Sequence, residues 1–333
     1  MTLVLSAVFT LVIKKIALKF RIVDQPGKKA RRIHKKPIPL LGGGAIFLAF
    51  FLVLFLVHDK ILAGNLEPGH WLGFFVGGCF LMLGGFLDDK YELKPSQQIV
   101  WPALAGLAII LGGVSIQKIT SPLGGFFYIG ASVSSLIIFI WLMAMMYTTK
   151  LLDGLDGLVS GVTAIGGLVI FLFTISTRYY QPDIGLAALV LAGACLGFLT
   201  FNWHPAKIFL GEGGSLFLGY GLGVLAIISG GKIAIALLVM GIPLLDLFWT
   251  IIRRLGSGKN PFKIADKLHL HHRLLSLGLG QRKTVLIYYA LALAFGLSGL
   301  FLESLGKLLA LGILFIIMLF TVVILRRYGQ KDI

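Results

Sequence analysis

Long apolar runs separated by short polar segments set the pattern of this chain. The runs occupy roughly 1–20, 40–57, 70–87, 98–114, 132–147, 158–176, 184–201, 214–229, 232–251, 284–302 and 306–325. Most reach the ~17–25 residues that a helix needs to cross a bilayer, so the pattern predicts an all-α, polytopic membrane protein with about eleven transmembrane helices. No repeat or soluble segment interrupts it, and 1–333 reads as a single integral membrane domain. The first run is the weakest, because Lys14, Lys15 and Lys19 break it. Those lysines follow the apolar residues, the reverse of a secretory signal peptide, and they can snorkel to the headgroups.

Composition agrees with the pattern. The chain is 57% hydrophobic and 13% charged, with a mean hydropathy of +0.94, whereas a soluble domain carries about 25% charged residues. Placing the segments 21–39, 88–97, 148–157, 202–213 and 253–283 on one side, with the C-terminal tail, leaves few cations opposite. Of the 30 Lys and Arg, those are Lys60, Lys118, Arg178, Lys232 and Lys307. By the positive-inside rule the five segments are cytoplasmic loops. The N-terminus is then outside and the C-terminus inside a plasma (inner) membrane. The net charge of +16 reads as topology plus attraction to anionic headgroups and phosphates, and no nucleic-acid partner is expected. Cys79 and Cys195 fall inside apolar runs, where packing is expected over a disulfide.

With this sidedness the acidic residues become informative. Asp88, Asp89, Glu92, Asp153, Asp156, Glu212, Asp246 and Asp266 gather on the cation-rich face, while Asp59, Glu67, Asp183 and Glu303 lie opposite. Carboxylates that hold a metal ion, beside cations that take the remaining charge, suit a phosphate ligand. The central stretch is Leu151-Leu152-Asp153-Gly154-Leu155-Asp156-Gly157-Leu158. On a helix Asp153 and Asp156 would share a face and repel, unless a cation lies between them. The same run also suits a capped turn, with Asp as the N-cap and Gly as the permissive residue.

Other loops carry further candidates. Asp88-Asp89 end an apolar run, where adjacent carboxylates are expensive unless something binds them. A solvated helix end is the plainer alternative. Lys35 and Lys36 precede Gly42-Gly43-Gly44, which reads as a headgroup anchor or as a phosphate clamp with close backbone approach. Gly211-Glu212-Gly213-Gly214 suggests a tight loop feeding a helix N-terminus open to an anion. His269, His271 and His272 lack a Cys or a second His cluster to complete a zinc set, and with Arg273 they suit a diphosphate better.

Five motifs in order then carry a resemblance over nearly the whole chain. They are Asp24-x-Pro26 with His34-x-x-Pro37-x-Pro39-x-x-Gly42-Gly43; Gly85-x-x-Asp88-Asp89 with Leu93-x-Pro95; Asp153-Gly154-Leu155-Asp156-Gly157-Leu158; Asn202-x-x-Pro205-Ala206-x-x-Phe209-x-Gly211; and His269-x-His271-His272. The chain resembles the polyprenyl-phosphate N-acetylhexosamine-1-phosphate transferases. Through Asp266-x-x-His269-x-His271-His272-Arg273 it is most similar to the branch that transfers N-acetylglucosamine-1-phosphate. The resemblance implies attack of undecaprenyl (polyprenyl) phosphate on a UDP-N-acetylhexosamine, releasing UMP, as the first membrane step of a cell-envelope glycan. It implies Mg²⁺, with Mn²⁺ as a substitute, on Asp156 and Glu212, and Asp153 at the nucleotide. Asp88 and Asp89 would serve the lipid phosphate, and His269, His271, His272 and Arg273 the diphosphate. Lys35, Lys36, Lys150 and Asn202 are further substrate-binding candidates, and a homodimer is expected. A phospho-muramoyl-pentapeptide transferase, a lipid-linked-glycan transporter and an inactive scaffold are the alternatives.

Four positions depart from the family's pattern. Asn is usual three and six residues before Asp153, where this chain has Lys150 and Tyr147. Lys is usual at Gln98, and Asp at Glu212. Lys150 is expected to pair with a phosphate or with Asp153.

Overall fold

The computed structural model describes residues 1–26, 36–62, 64, 67–121, 125–176, 180–229, 233–256, 258 and 269–328. In chain order the helices begin with α1 (Thr2–Lys19), α2 (Gly42–Leu56), α3 (His58–Leu62), α4 (Pro68–Tyr91), α5 (Pro95–Gln98), α6 (Val100–Leu111), α7 (Ala131–Leu152) and α8 (Leu158–Thr174). They continue as α9 (Pro182–Asn202), α10 (Gly211–Ile228), α11 (Ile233–Val239), α12 (Gly241–Gly256), α13 (Leu270–Ser276), α14 (Gln281–Phe301) and α15 (Ser304–Tyr328). Two short antiparallel hairpins pair β1 (Val23–Asp24) with β2 (Ile38–Pro39), and β3 (Lys118–Thr120) with β4 (Phe126–Tyr128).

Each predicted apolar run holds a helix, and the protein is a mostly helical, multi-pass membrane protein. Among the described residues five helices, α4, α7, α9, α10 and α14, are long and apolar enough to cross a bilayer by themselves. Helix α2, the α5–α6 stretch, α8 and Leu305–Phe320 are apolar but shorter. The predicted run 232–251 is no straight rod. Helices α11 and α12 meet at a bend of 81°, where Gly241 and Pro243 flank the break; proline has no N–H to continue a helical ladder. Apolar side chains such as Leu111, Phe301 and Phe55 point outward, as a lipid-facing surface requires.

Helix α10 is the axis of the bundle, with 89% of its apolar window buried. A helix apolar on all sides is a buried helix, and small residues let its neighbours approach closely. A Cβ on Gly43 of α2 would lie 2.0 Å from Gly214, and one on Gly85 of α4 would lie 2.0 Å from Gly213. Polar groups along the axis are paired. Trp141 Nε1 donates to the Gly223 carbonyl at 3.1 Å, and Tyr220 donates to the Gly73 carbonyl at 3.2 Å. On the far side, Ser6 of α1 donates to the Ala194 carbonyl of α9 at 2.6 Å.

The glycine-rich entry to α2 is built differently from a phosphate clamp. Gly42 N–H donates to the Phe209 carbonyl at 2.9 Å and Gly43 N–H to the Leu210 carbonyl at 2.8 Å. Those donors therefore hold the 202–210 loop instead of an anion.

Candidate active site

The end of α4, the end of α7, the start of α8, the end of α9 and the start of α10 meet at one end of the bundle. All five motifs have described residues there. Within the central stretch, 153–157 form a turn between two helices: α7 stops at Leu152 with Asp153 as its C-cap, and α8 starts at Leu158 with Gly157 as its N-cap. Gly157, in the left-handed region at φ +79°, permits the reversal. The turn with a permissive Gly is thus present, but the N-cap of α8 is Gly157 and neither Asp fills that place; the turn leaves Asp153 and Asp156 at the mouth of the site.

Asp156 is anchored by the next loop. His204 Nδ1 lies 2.7 Å from its Oδ2, and Ala206 N–H donates to the same oxygen at 3.1 Å. Arg282, at the start of α14, donates to the His204 carbonyl at 2.9 and 3.1 Å. Asn202 works beneath this loop. Its Oδ1 accepts from Gly157 N–H at 3.0 Å and from Ser160 at 3.2 Å, while its Nδ2 donates to the Ile208 carbonyl at 3.0 Å. Buried and bonded at both ends of its amide, Asn202 shapes the turn that carries Asp156.

Asp89 and Glu212 meet through backbone. The first turn of α10 faces the Asp89 carboxyl group: Glu212 N–H donates to Asp89 Oδ1 at 3.1 Å. Gly211, at φ +74°, makes this approach feasible, because a Cβ there would sit 2.3 Å from Asp89 Oδ2. Asp88 faces another way. Its Oδ1 accepts from Leu93 N–H at 3.0 Å and from Gln98 Nε2 at 2.8 Å. Gln98 Oε1 in turn accepts from Lys150 at 3.0 Å, and Lys150 forms an ion pair with Glu212. Lys150 thus pairs with Glu212, where the sequence suggested a phosphate or Asp153.

Asp153 links the two halves of the cluster. It lies deep among protein atoms while remaining open to solvent at the mouth of the site. That desolvation, followed by the charges of Glu212 and Asp156, pushes its carboxyl up to about 7. A carboxylate whose folded pKa is raised favours folding below its unfolded value near ~4, and that contribution is lost as pH rises through the folded value. The detergent-purified, metal-free protein is therefore expected to melt at lower temperature as pH rises from about 4 to about 7, and Asp153→Asn should flatten this dependence. An unchanged slope in Asp153→Asn would assign it to other groups.

The histidines pack directly on the central turn. His269 Nδ1 lies 2.9 Å from Asp246 Oδ2, and Leu270 N–H donates to Asp246 Oδ1 at 3.2 Å. Asp246 thereby fixes the ring of His269 and the start of α13. His271 is 1% exposed, and neither of its ring nitrogens has a hydrogen-bond partner among the described residues. Its Nε2 would lie 2.6 Å from a Cβ on Gly154. Burial, followed by the neighbouring His272 and His269 rings, holds His271 well below the ordinary imidazole range, so it is neutral. An orphaned donor and acceptor against the Asp153 turn fit a polar ligand there. The His271 and His272 ring centroids are 4.3 Å apart, and Arg273 follows on α13. Lys36 is described and exposed. Lys35, His34 and Asp266 lie outside the described residues.

Sequence reasoning missed three participants. Asp246 was one acidic residue among many, and its role appears only when α12 folds back beside His269. His204 and Arg282 carried no motif of their own. Beside the cluster, a cavity of about 320 Å³ is lined by apolar residues including Ile13, Ile16, Phe47, Leu48 and Phe86, and also by Asp89.

This geometry has counterparts of known type. Residues 71–230 match the family model described as glycosyl transferase family 4. A Bacillus subtilis protein, named a probable undecaprenyl-phosphate N-acetylglucosaminyl 1-phosphate transferase, is 33% identical over 324 residues, 95% of this chain and 87% of its own. The chain belongs to glycosyl transferase family 4. The decaprenyl-phosphate N-acetylglucosaminephosphotransferase of Mycobacterium tuberculosis is 31% identical over 83% of this chain and 74% of its own. A phospho-N-acetylmuramoyl-pentapeptide-transferase of Moorella thermoacetica is 30% identical over 90% of this chain and 97% of its own. Family membership covers both branches weighed from the sequence.

A divalent ion suits the donor set. Among the described residues no three His, Cys, Asp or Glu side chains form a ready-made metal cage. Mg²⁺ seldom uses one, taking one or two carboxylates and completing its shell with water and substrate phosphate. Asp153, raised first by burial and then by the neighbouring Glu212 and Asp156 charges, lies with those two carboxyl groups where an ion could join them.

Proposed function

We propose that this protein transfers a sugar-1-phosphate, N-acetylglucosamine-1-phosphate by preference, from a UDP-sugar to undecaprenyl or a related polyprenyl phosphate, releasing UMP. The observation that carries the reading is the convergence of Asp88, Asp89, Asp153, Asp156 and Glu212 with the His269–His272 group at one end of an apolar bundle. In this reading that end is cytoplasmic, the chain makes about eleven crossings, and the N-terminus is outside.

Each part of the cluster has a task. Glu212 and Asp156, with Asp153 between them, would hold Mg²⁺ or Mn²⁺, which when bound offsets the charge on the transferring phosphoryl group. Asp153 would position the nucleotide. Asp88 and Asp89 would serve the acceptor phosphate, one of them accepting its residual proton. The apolar cavity beside Asp89 suits the first units of its polyprenyl chain. His271, neutral and unpartnered, would hydrogen-bond the sugar-nucleotide diphosphate, with His269 fixed by Asp246 and with His272, Arg273, Lys35 and Lys36 supplying further donors. Bringing two anions together is mostly positioning and charge compensation, and these residues provide both. Two copies in a homodimer would each carry a complete site.

The test is UMP release by the detergent-purified protein with undecaprenyl phosphate, Mg²⁺ and a panel of UDP-sugars. Release with UDP-N-acetylglucosamine, lost on chelation, is expected. Release with only UDP-N-acetylmuramoyl-pentapeptide would move the protein to the other branch. Well-folded protein that releases no UMP with any sugar or ion would overturn the reading.

A further inference from the structure

The four positions that depart from the pattern of the resemblance meet at one side chain: Tyr147 lies one turn before Lys150 on α7, while Gln98 and Glu212 reach Lys150 from other elements. Lys150 is their centre. Its Nζ lies 5.6 Å from the centroid of the Tyr147 ring, 3.0 Å from Gln98 Oε1, and in an ion pair with Glu212 Oε1. Gln98 passes the contact on to Asp88 Oδ1 at 2.8 Å. Two of the departures compensate: a cation is absent at 98 and present at 150, and the two side chains are hydrogen-bonded. Glu212, one methylene longer than Asp, reaches that cation. Independent decay of a dead site gives no reason for four changes to form one connected network.

We infer that Lys150 is a resident counter-ion of the carboxylate cluster, competing with the divalent ion for Glu212 and holding Asp88 in place through Gln98. An ammonium and a divalent ion cannot both contact the same carboxylate oxygen without strong repulsion, so one must yield. At close range in a partly buried site that repulsion is several-fold larger than in water. The contacts also restrain Lys150. The aromatic face of Tyr147 attracts a cation, and Gln98 takes one of its three donors. When a divalent ion takes Glu212, the ammonium remains beside Gln98, available to a phosphate oxygen. This deepens the reading above, on which it rests only for the presence of a divalent ion at Glu212.

The experiment is Mn²⁺ binding, by calorimetry and by electron paramagnetic resonance, to the full detergent-purified chain without nucleotide or lipid. Lys150→Asn is expected to bind Mn²⁺ about tenfold more tightly than wild type. Lys150→Arg should stay within about threefold of wild type, because it keeps the charge. Lys150→Met gives the same reading as Asn if Asn fails to fold, because it keeps the side chain's length beside Tyr147. The double variant Gln98→Lys/Lys150→Asn, which moves the cation toward Asp88, should fall between wild type and Lys150→Asn. Folded Lys150→Asn or Lys150→Met with unchanged or weaker Mn²⁺ affinity would overturn the inference. The readout involves no sugar transfer. An inactive protein with tighter Mn²⁺ binding in Lys150→Asn would refute the transferase and keep the counter-ion. An active one with unchanged binding would do the reverse.

Discussion

Asp156→Asn is expected to lower UMP release by at least about 10²–10³-fold, the range for removing one charged or polar group aimed at the reacting phosphates. The substitution is nearly isosteric, so the loss reports charge. Asp156 Oδ2 holds His204 Nδ1 at 2.7 Å and the Ala206 N–H at 3.1 Å. An Asn oxygen in the place of Oδ2 can accept from both the Ala206 N–H and a protonated His204 Nδ1. The 202–210 loop should therefore stay in place, with Asn202 bonded to Gly157 and Ile208 as before. The protein should extract and melt like wild type while needing more Mg²⁺ for any residual turnover. Near-normal turnover by folded Asp156→Asn would remove Asp156 from the ion's donors and leave Asp153 and Glu212 as the pair.

Gly211→Ala should be comparably severe for a different reason. At φ +74° any L side chain is strained, and the added Cβ would lie 2.3 Å from Asp89 Oδ2 and 3.0 Å from Leu41 N. Backbone strain and overpacking together are expected to cost ~2–4 kcal/mol of stability. The contact can open only by moving Asp89 or the first turn of α10, which breaks the Glu212 N–H bond to Asp89. A displacement near 1 Å at that point should cost about 10²-fold in turnover. Gly256→Ala is the control, since nothing lies within 4 Å of a Cβ there, and its effect should be within about 0.5 kcal/mol. Equal behaviour of the two variants would mean that the Asp89–Glu212 contact does not organise the site.

Much of this was legible without coordinates. Apolar runs locate helices because a bilayer imposes their length and composition, and every such run holds one. The carboxylates were legible because an ionised group at the edge of an apolar run is costly without a purpose, and Asp88, Asp89, Asp153, Asp156 and Glu212 are all at the site. Bends and partners were less legible. The break between α11 and α12 depends on how Gly241 and Pro243 pack against the rest of the bundle. Asn202 looked like a ligand-binding amide, but it turned out to support the loop, because its motif spacing says nothing of which way the amide points.

By itself the sequence determined the class of protein, the order of its helices and the chemical type of its candidate groups. Those follow from local pattern and from the solvent each segment tolerates. Only the tertiary structure decided that Asp246 holds His269, that Asp89 fills the start of α10, and that Lys150 joins Gln98, Tyr147 and Glu212. Apart from Lys150 and Tyr147, neighbours on one helix, such contacts link residues 23 to 123 positions apart. Their energies depend on distances of a few ångströms that linear order does not encode.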